Sequence, residues 1–261
     1  MVVSLYSRQI EDCLPYPTLF IHGNLASSKW WEPTIEAFKS LKSVNKNKPA
    51  ILADMRGCGK NPDSTESFTI FDLAQDFISI LNEQNLPKVH IVGHSVGGLI
   101  ALAAMVRAPD KFSRCVLLDP VGPKGILFDQ SMYDAFTAMA NDKNLTAQVI
   151  LGTIYKANLT DEFKQFIVSD AFKAVKGVGS NVLEMLKDTD ISTQVATIQQ
   201  PVLVLHGQFD SVLKIEDSRV LASQLPNGKF QEIRGHGHCL NIEDPKKLAG
   251  ILKDFLFGDT K

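Results

Sequence analysis

Short apolar runs recur along the chain, separated by longer stretches in which apolar residues return every three or four positions. The runs are Thr18–Ile21, Ala50–Ala53, Val89–Val92, Cys115–Leu118, Val202–Leu205 and Lys229–Ile233. Strands without polar alternation are buried on both faces, as in a parallel sheet between helical layers. We read the runs as such strands. The intervening patterns predict helices near Trp31–Leu41, Ile70–Gln84, Val96–Arg107, Glu216–Gln224 and Pro245–Leu256. The third should stop near Ala108, because Pro109 disfavours helix in the residue before it. This spacing suits strand–helix units, so the fold class is α/β, with a mostly parallel central sheet flanked by helices.

One interval breaks the rhythm. Between Asp119 and Pro201 no strand pattern occurs. Asp129–Asn141, Leu145–Lys156, Asp161–Val175 and Asn181–Asp188 read instead as short amphipathic helices. Met132, Phe136, Met139, Ile150, Ile154, Phe163, Phe166, Ile167 and Phe172 recur there at helical spacing. A helical insertion between two strands is expected at the carboxyl end of the sheet, where open α/β sheets bind ligands. The expected organisation is a core of residues 1–120 and 200–261 with a helical cap at 121–199. For any one Phe or Met, packing within the cap is the default; a cap still needs apolar surface facing a pocket.

Composition narrows the function. The chain has 261 residues, 44% hydrophobic and 21% charged, which suits one large globular domain or a domain with an insertion. Its 27 basic and 29 acidic residues nearly cancel, so neither a nucleic-acid nor an anionic-membrane partner is indicated. Lys42, Lys46 and Lys48 read as a solvated loop. The start, Met1-Val2-Val3-Ser4-Leu5-Tyr6, lacks the basic and apolar regions of a signal peptide. Cys13, Cys58, Cys115 and Cys239 are scattered without metal-ligand spacing, so free thiols in a reducing, cytoplasmic setting are expected. The sequons at Asn144 and Asn158 then read as chance.

Candidate chemistry centres on Gly93-His94-Ser95-Val96-Gly97, set between an apolar strand and an apolar helix. So sharp a turn needs small residues two before and two after the serine, and it holds the hydroxyl out at the strand's end. A serine needs a base to remove its proton, and a histidine base needs a carboxylate to hold its tautomer. Asp210 follows the strand ending at Leu205 and fits the acid; Asp119, after Leu118, is the rival. The base comes from Gly235-His236-Gly237-His238, where spacing alone leaves both histidines open. An oxyanion hole needs donors at the developing negative oxygen. The N–H of Val96, at a helix N-terminus, is one. Asn24 is the better position for the second and Leu25 the fallback, while His22 reads as structural. Trp30 and Trp31 are further pocket candidates.

These segments together resemble the α/β-hydrolase fold superfamily. The resemblance spans nearly the whole chain and rests on ordered blocks: His22-Gly23-Asn24, Asp54 to Gly59, Gly93 to Gly98, Leu205 to Asp210, and Gly237-His238 with Glu243-Asp244-Pro245. It places the base at His238 rather than His236, and it makes the Asp54–Gly59 block a structural turn. The capped esterase, enol-lactonase and carbon–carbon-bond hydrolase branches are the more similar ones. The family's N-terminal hairpin is longer; with His22 so early, a shortened sheet edge of fewer than eight strands is expected. The resemblance implies acyl transfer to water by Ser95, His238 and Asp210, with no cofactor or metal, on a small, largely apolar ester, lactone or thioester. Carbon–carbon cleavage, perhydrolysis, or a slow-turnover receptor for a small molecule are the alternatives. Oligomeric state is not readable.

Overall fold

In a computed structural model, residues 6–14, 16–41, 48–61, 64 and 66–258 are described. The expectations for the N-terminus, for Lys42 and Lys46, and for the Cys13 side chain lie outside the described residues. Strand β1 (Ser7–Leu14) leads into β2 (Thr18–Ile21), α1 (Glu32–Ser40), β3 (Lys48–Ala53), α2 (Ile70–Glu83), β4 (Val89–His94), α3 (Val96–Arg107) and β5 (Phe112–Leu118). Four helices follow: α4 (Gln130–Asn141), α5 (Lys143–Gly152), α6 (Asp161–Gly177) and α7 (Gly179–Lys187). The chain then returns through β6 (Val202–Gly207), α8 (Ile215–Gln224), β7 (Gly228–Ile233), α9 (Leu240–Glu243) and α10 (Pro245–Phe257).

The strands form one seven-stranded sheet in the order β1-β3-β2-β4-β5-β6-β7. Only β1 runs antiparallel, against β3. Among the described residues the sheet has seven strands, fewer than eight. Strand geometry sends successive side chains to opposite faces. Leu19, Ile21, Ile51, Ile91 and Leu117 accordingly pack on one face, beneath α2 and α3. Phe20, Leu52, Val92, Val116 and Leu205 pack on the other, against α1 and α10. Strand β7 departs from the expectation of burial on both faces. It is the sheet edge, and Lys229 and Gln231 on it are exposed.

Helix α3 is buried from Val96 through Met105, so it is apolar all round, as a central helix must be. It stops at Arg107, before Ala108 and Pro109, as expected. Helix α2 starts on a capping box in which Thr69 and Asp72 satisfy each other's backbone N–H. Helix α5 ends at Gly152, earlier than expected. There the Thr153 hydroxyl donates to Ile150 O (2.8 Å), and the Tyr155 N–H turns away to a partner in the core.

The helices between β5 and β6 are anchored on the loops that follow β3. Lys173 Nζ donates to Gly59 O and Asn61 O (2.6 and 2.8 Å), and Asn181 Nδ2 donates to Ser64 O and Glu66 O (both 2.9 Å). The Asp54–Gly59 block is itself a hydrogen-bonded turn. Asp54 accepts from Ser28 N–H (2.7 Å) and Lys60 N–H (2.9 Å). Arg56 reaches across to make a two-bond fork with Asp76 (both 2.8 Å). Among the described residues, no helix is long and apolar enough to cross a membrane.

Two stability predictions follow from buried charge. Arg56→Ala leaves the Asp76 carboxylate nearly buried without its partner, and should cost about 3 kcal/mol in urea unfolding. The second concerns His90. Burial first, and then the charge of Arg114, lower its pKa to about 4. Between pH 6.5 and about 4 the unfolded chain binds a proton at this position that the folded chain refuses, so stability falls as the pH falls. The slope per histidine reaches about 1.4 kcal/mol per pH unit. His90→Gln should flatten the measured slope in that window; an unchanged slope rules out His90 as a source.

Candidate active site

The turn that carries Ser95 is built from close backbone contacts. Ser95 sits at φ 55° and ψ −120°, between the end of β4 and the first residue of α3. A Cβ on Gly93 would lie 2.3 Å from Gly97 O, and one on Gly97 would lie 2.5 Å from Ile21 O. Only glycine fits either place, which is why the two flank the serine. Ser95 N–H donates to Leu118 O (2.9 Å), tying the turn to the neighbouring strand. Val96 opens α3, so its N–H has no partner within the helix and lies at the positive end of the helix dipole.

The acid and histidine loops meet beyond β6 and β7. A Cβ on Gly207 would lie 2.0 Å from Gly237 O, so the two loops touch backbone to backbone. Phe209 N–H donates to His236 O (2.8 Å) across the same contact. His238 Nδ1 donates to Asp210 Oδ2 (2.8 Å), while Asp210 Oδ1 accepts from Val212 N–H (2.7 Å) and Leu213 N–H (3.1 Å). Burial alone would raise the Asp210 pKa, but the bond and charge of His238 and the two amides hold it below the usual carboxylate range. Asp210 thus stays ionised, and His238 Nε2 is left as the proton acceptor.

Both rivals have other partners. Asp119 is fully buried and accepts from Gly207 N–H (2.7 Å). Burial, and then the charge of Asp210, push its carboxyl well above the usual range, so it favours the neutral form. His236 lies 3.8 Å from the Glu243 carboxylate and 3.9 Å from that of Asp244. Asn24 lines the cavity at Ser95, and its Oδ1 accepts from Leu25 N–H (2.9 Å). That bond engages the Leu25 amide and leaves the Asn24 amide as the available donor.

Three supporting residues were not singled out from the sequence as parts of the site. His94 Nε2 donates to His238 O (2.9 Å), its ring lies 4.8 Å from that of His238, and burial keeps it neutral with a pKa of about 3. His206 Nε2 lies 3.3 Å from both Asp210 Oδ2 and Leu213 O, and its Nδ1 accepts from Ser218 Oγ (2.8 Å). Its one sequence signal is a polar ring closing an apolar strand. Glu243 accepts from Gly237 N–H (2.7 Å), Cys239 N–H (3.1 Å) and Tyr155 N–H (3.1 Å), gripping the loop on both sides of His238. Two sets, His94–Asp119–His238 and Asp119–His206–Asp210, bring ligand atoms within 4.8 Å of one another. Hydrogen bonds engage His94 Nε2, His206 Nδ1, Asp119 Oδ1 and His238 Nδ1, while His94 Nδ1 and Asp119 Oδ2 have no hydrogen-bond partner among the described residues.

Ser95 and His238 open onto a cavity of about 530 Å³. One wall is Met132, Phe136, Met139, Val149 and Ile150 from α4 and α5, and Leu25, Trp30 and Val212 face it from the core. Trp31, the other expected pocket residue, does not line it; it packs fully buried against Phe20. Ile167 is fully buried, and Phe163, Phe166 and Phe172, also on α6, pack against the hydrophobic cluster that the insertion shares with the core.

The profile of the alpha/beta hydrolase fold matches residues 16–245. A protein of Caulobacter segnis named as a carbamate hydrolase is 25% identical, over 92% of this chain and 91% of its own. 3-oxoadipate enol-lactonase 1 of Acinetobacter baylyi is 26% identical, over 96% and 92%. An esterase structure from Exiguobacterium antarcticum superposes with a TM-score of 0.82 at 18% identity, covering 97% of this chain and 95% of its own. With the profile spanning most of its length, the chain belongs to the alpha/beta hydrolase fold family.

Proposed function

We propose that this hydrolase cleaves a carboxylic ester, or a lactone or thioester, of a small and largely apolar substrate through an acyl-Ser95 intermediate. The observation that carries the reading is the 2.8 Å bond from His238 to Asp210, beside a serine presented at a strained turn in the same cavity. Ser95 Oγ attacks the carbonyl carbon as its proton passes to His238 Nε2. Asp210 stabilises the imidazolium that forms. The amides of Val96 and Asn24 hold the tetrahedral oxyanion. The leaving alcohol takes the proton from His238, which then removes a proton from water to release the acid. Hydrogen bonds between nucleophile and base tighten when substrate binds and excludes water. The insertion acts as a cap, its α4 and α5 forming one wall of the cavity. The relatives' names, a carbamate hydrolase and an enol-lactonase, fit acyl transfer to water.

On p-nitrophenyl acetate, Ser95→Ala should lower kcat by about 10⁴-fold or more, with an unchanged circular dichroism spectrum. Wild-type turnover in this variant would overturn the assignment. Asp210→Asn should lower kcat by about 10³- to 10⁴-fold, because the amide no longer holds the Nδ1–H tautomer. Asp119→Asn keeps an acceptor for Gly207 and replaces a carboxyl whose pKa burial raises, so it should cost less than about tenfold. The reverse ranking of these two variants would make Asp119 the acid.

A further inference from the structure

The cavity at Ser95 is apolar, but its more telling property is electrical. Among the described residues, no lysine, arginine, aspartate or glutamate lines it. Its insertion wall is Met132, Phe136, Met139, Val149 and Ile150, and Trp30 closes the far side. The uncharged donors include the Asn24 side chain and the Trp30 Nε1–H, which has no hydrogen-bond partner among the described residues, and they carry no formal charge to balance that of an anion. Thr153 already donates its hydroxyl to Ile150 O (2.8 Å), and Gln148 and Ser211 are exposed at the mouth. His94 is held neutral by burial, and the charge nearest the reacting centre is the ionised Asp210. A carboxylate entering here would lose its water without gaining a cation. Arg8, Lys29 and Lys60 border a separate recess.

We infer that the substrate is uncharged over its whole length, and that the cavity discriminates against acyl groups that end in a free carboxylate. This rests on the acyl-Ser95 reading above and narrows it. Charge is selected more sharply than shape. The two methionines of the insertion wall are unbranched and adaptable, so the wall tolerates varied apolar outlines while offering none of them a counter-ion. The enol-lactone of 3-oxoadipate keeps a free carboxylate, so this cavity suits a different substrate from that of the relative named for it.

The test compares two activated esters that differ in charge and little else. Mono-p-nitrophenyl adipate ends in a carboxylate; p-nitrophenyl 6-methylheptanoate ends in an isopropyl group of nearly the same shape. Leaving group and reacting carbonyl are the same in both, and Ser95→Ala gives the blank for spontaneous hydrolysis. At pH 7.5, kcat/KM for the neutral ester should exceed that for the anionic ester by about 100-fold or more. Val149→Arg places a cation at the half-exposed mouth and should shrink that ratio at least tenfold. A wild-type ratio below ten overturns the selectivity, and the acyl-serine reading survives if a fluorophosphonate still labels Ser95. A ratio that Val149→Arg leaves unmoved also counts against it. If neither ester is turned over and Ser95 is not labelled, the acyl-serine reading itself fails.

Discussion

The site depends on one backbone conformation that an ordinary residue resists. Ser95 is held at positive φ, where a non-glycine residue costs about 1–3 kcal/mol. Nothing local repays that. The compensation comes from the interior: α3 is buried from Val96 onward, Ser95 N–H is bonded to β5, and Gly93 and Gly97 let strand and helix approach within a distance that excludes any Cβ. Ser95 is thus positioned by the packing of the sheet's centre rather than by its own loop.

The partners are held in another way. The acid and histidine loops hang beyond the ends of β6 and β7, and each is fixed chiefly by the other. Their contact at Gly207 and Gly237 leaves no room for a side chain, and backbone amides aim at the Asp210 carboxylate. Around this sits a buried layer of imidazoles and carboxyls in graded protonation states. Asp210 is kept ionised, Asp119 favours the neutral acid, and His94 is neutral. Environment separates Asp210, which the sequence favours as the acid, from its rival Asp119.

Much of this was legible in the residues. The buried strands, the helices and the interval without strands follow from apolar period, because burial on both sheet faces leaves no other pattern. The edge strand was misread because Lys229-Phe230-Gln231-Glu232-Ile233 alternates as a half-exposed strand does, and its neighbours biased the reading. The serine turn was legible because it demands glycines at fixed spacing. Spacing alone did not separate His238 from His236, since two residues in a glycine-flanked loop present the same local signal; only the resemblance of the block with Glu243-Asp244-Pro245 favoured His238. Glu243, His94 and His206 were missed as parts of the site because their roles arise from contacts between segments far apart in the chain. Trp31 illustrates the same limit: next to Trp30 in sequence, it faces the opposite core.

The Tyr155–Glu243 bond joins residues 88 positions apart and has a consequence for how such a protein is assembled from parts. An insertion that only covered a cavity could be exchanged freely for another of similar outline. This one supplies one of the three backbone donors on the carboxylate that grips the histidine loop, and its Tyr155 ring stacks on Phe209, next to the acid. A transplanted insertion of different backbone path would leave Glu243 a donor short and alter the loop it steadies. The two parts are separate in architecture but not interchangeable, and the Glu243 side chain is one place where each constrains the other.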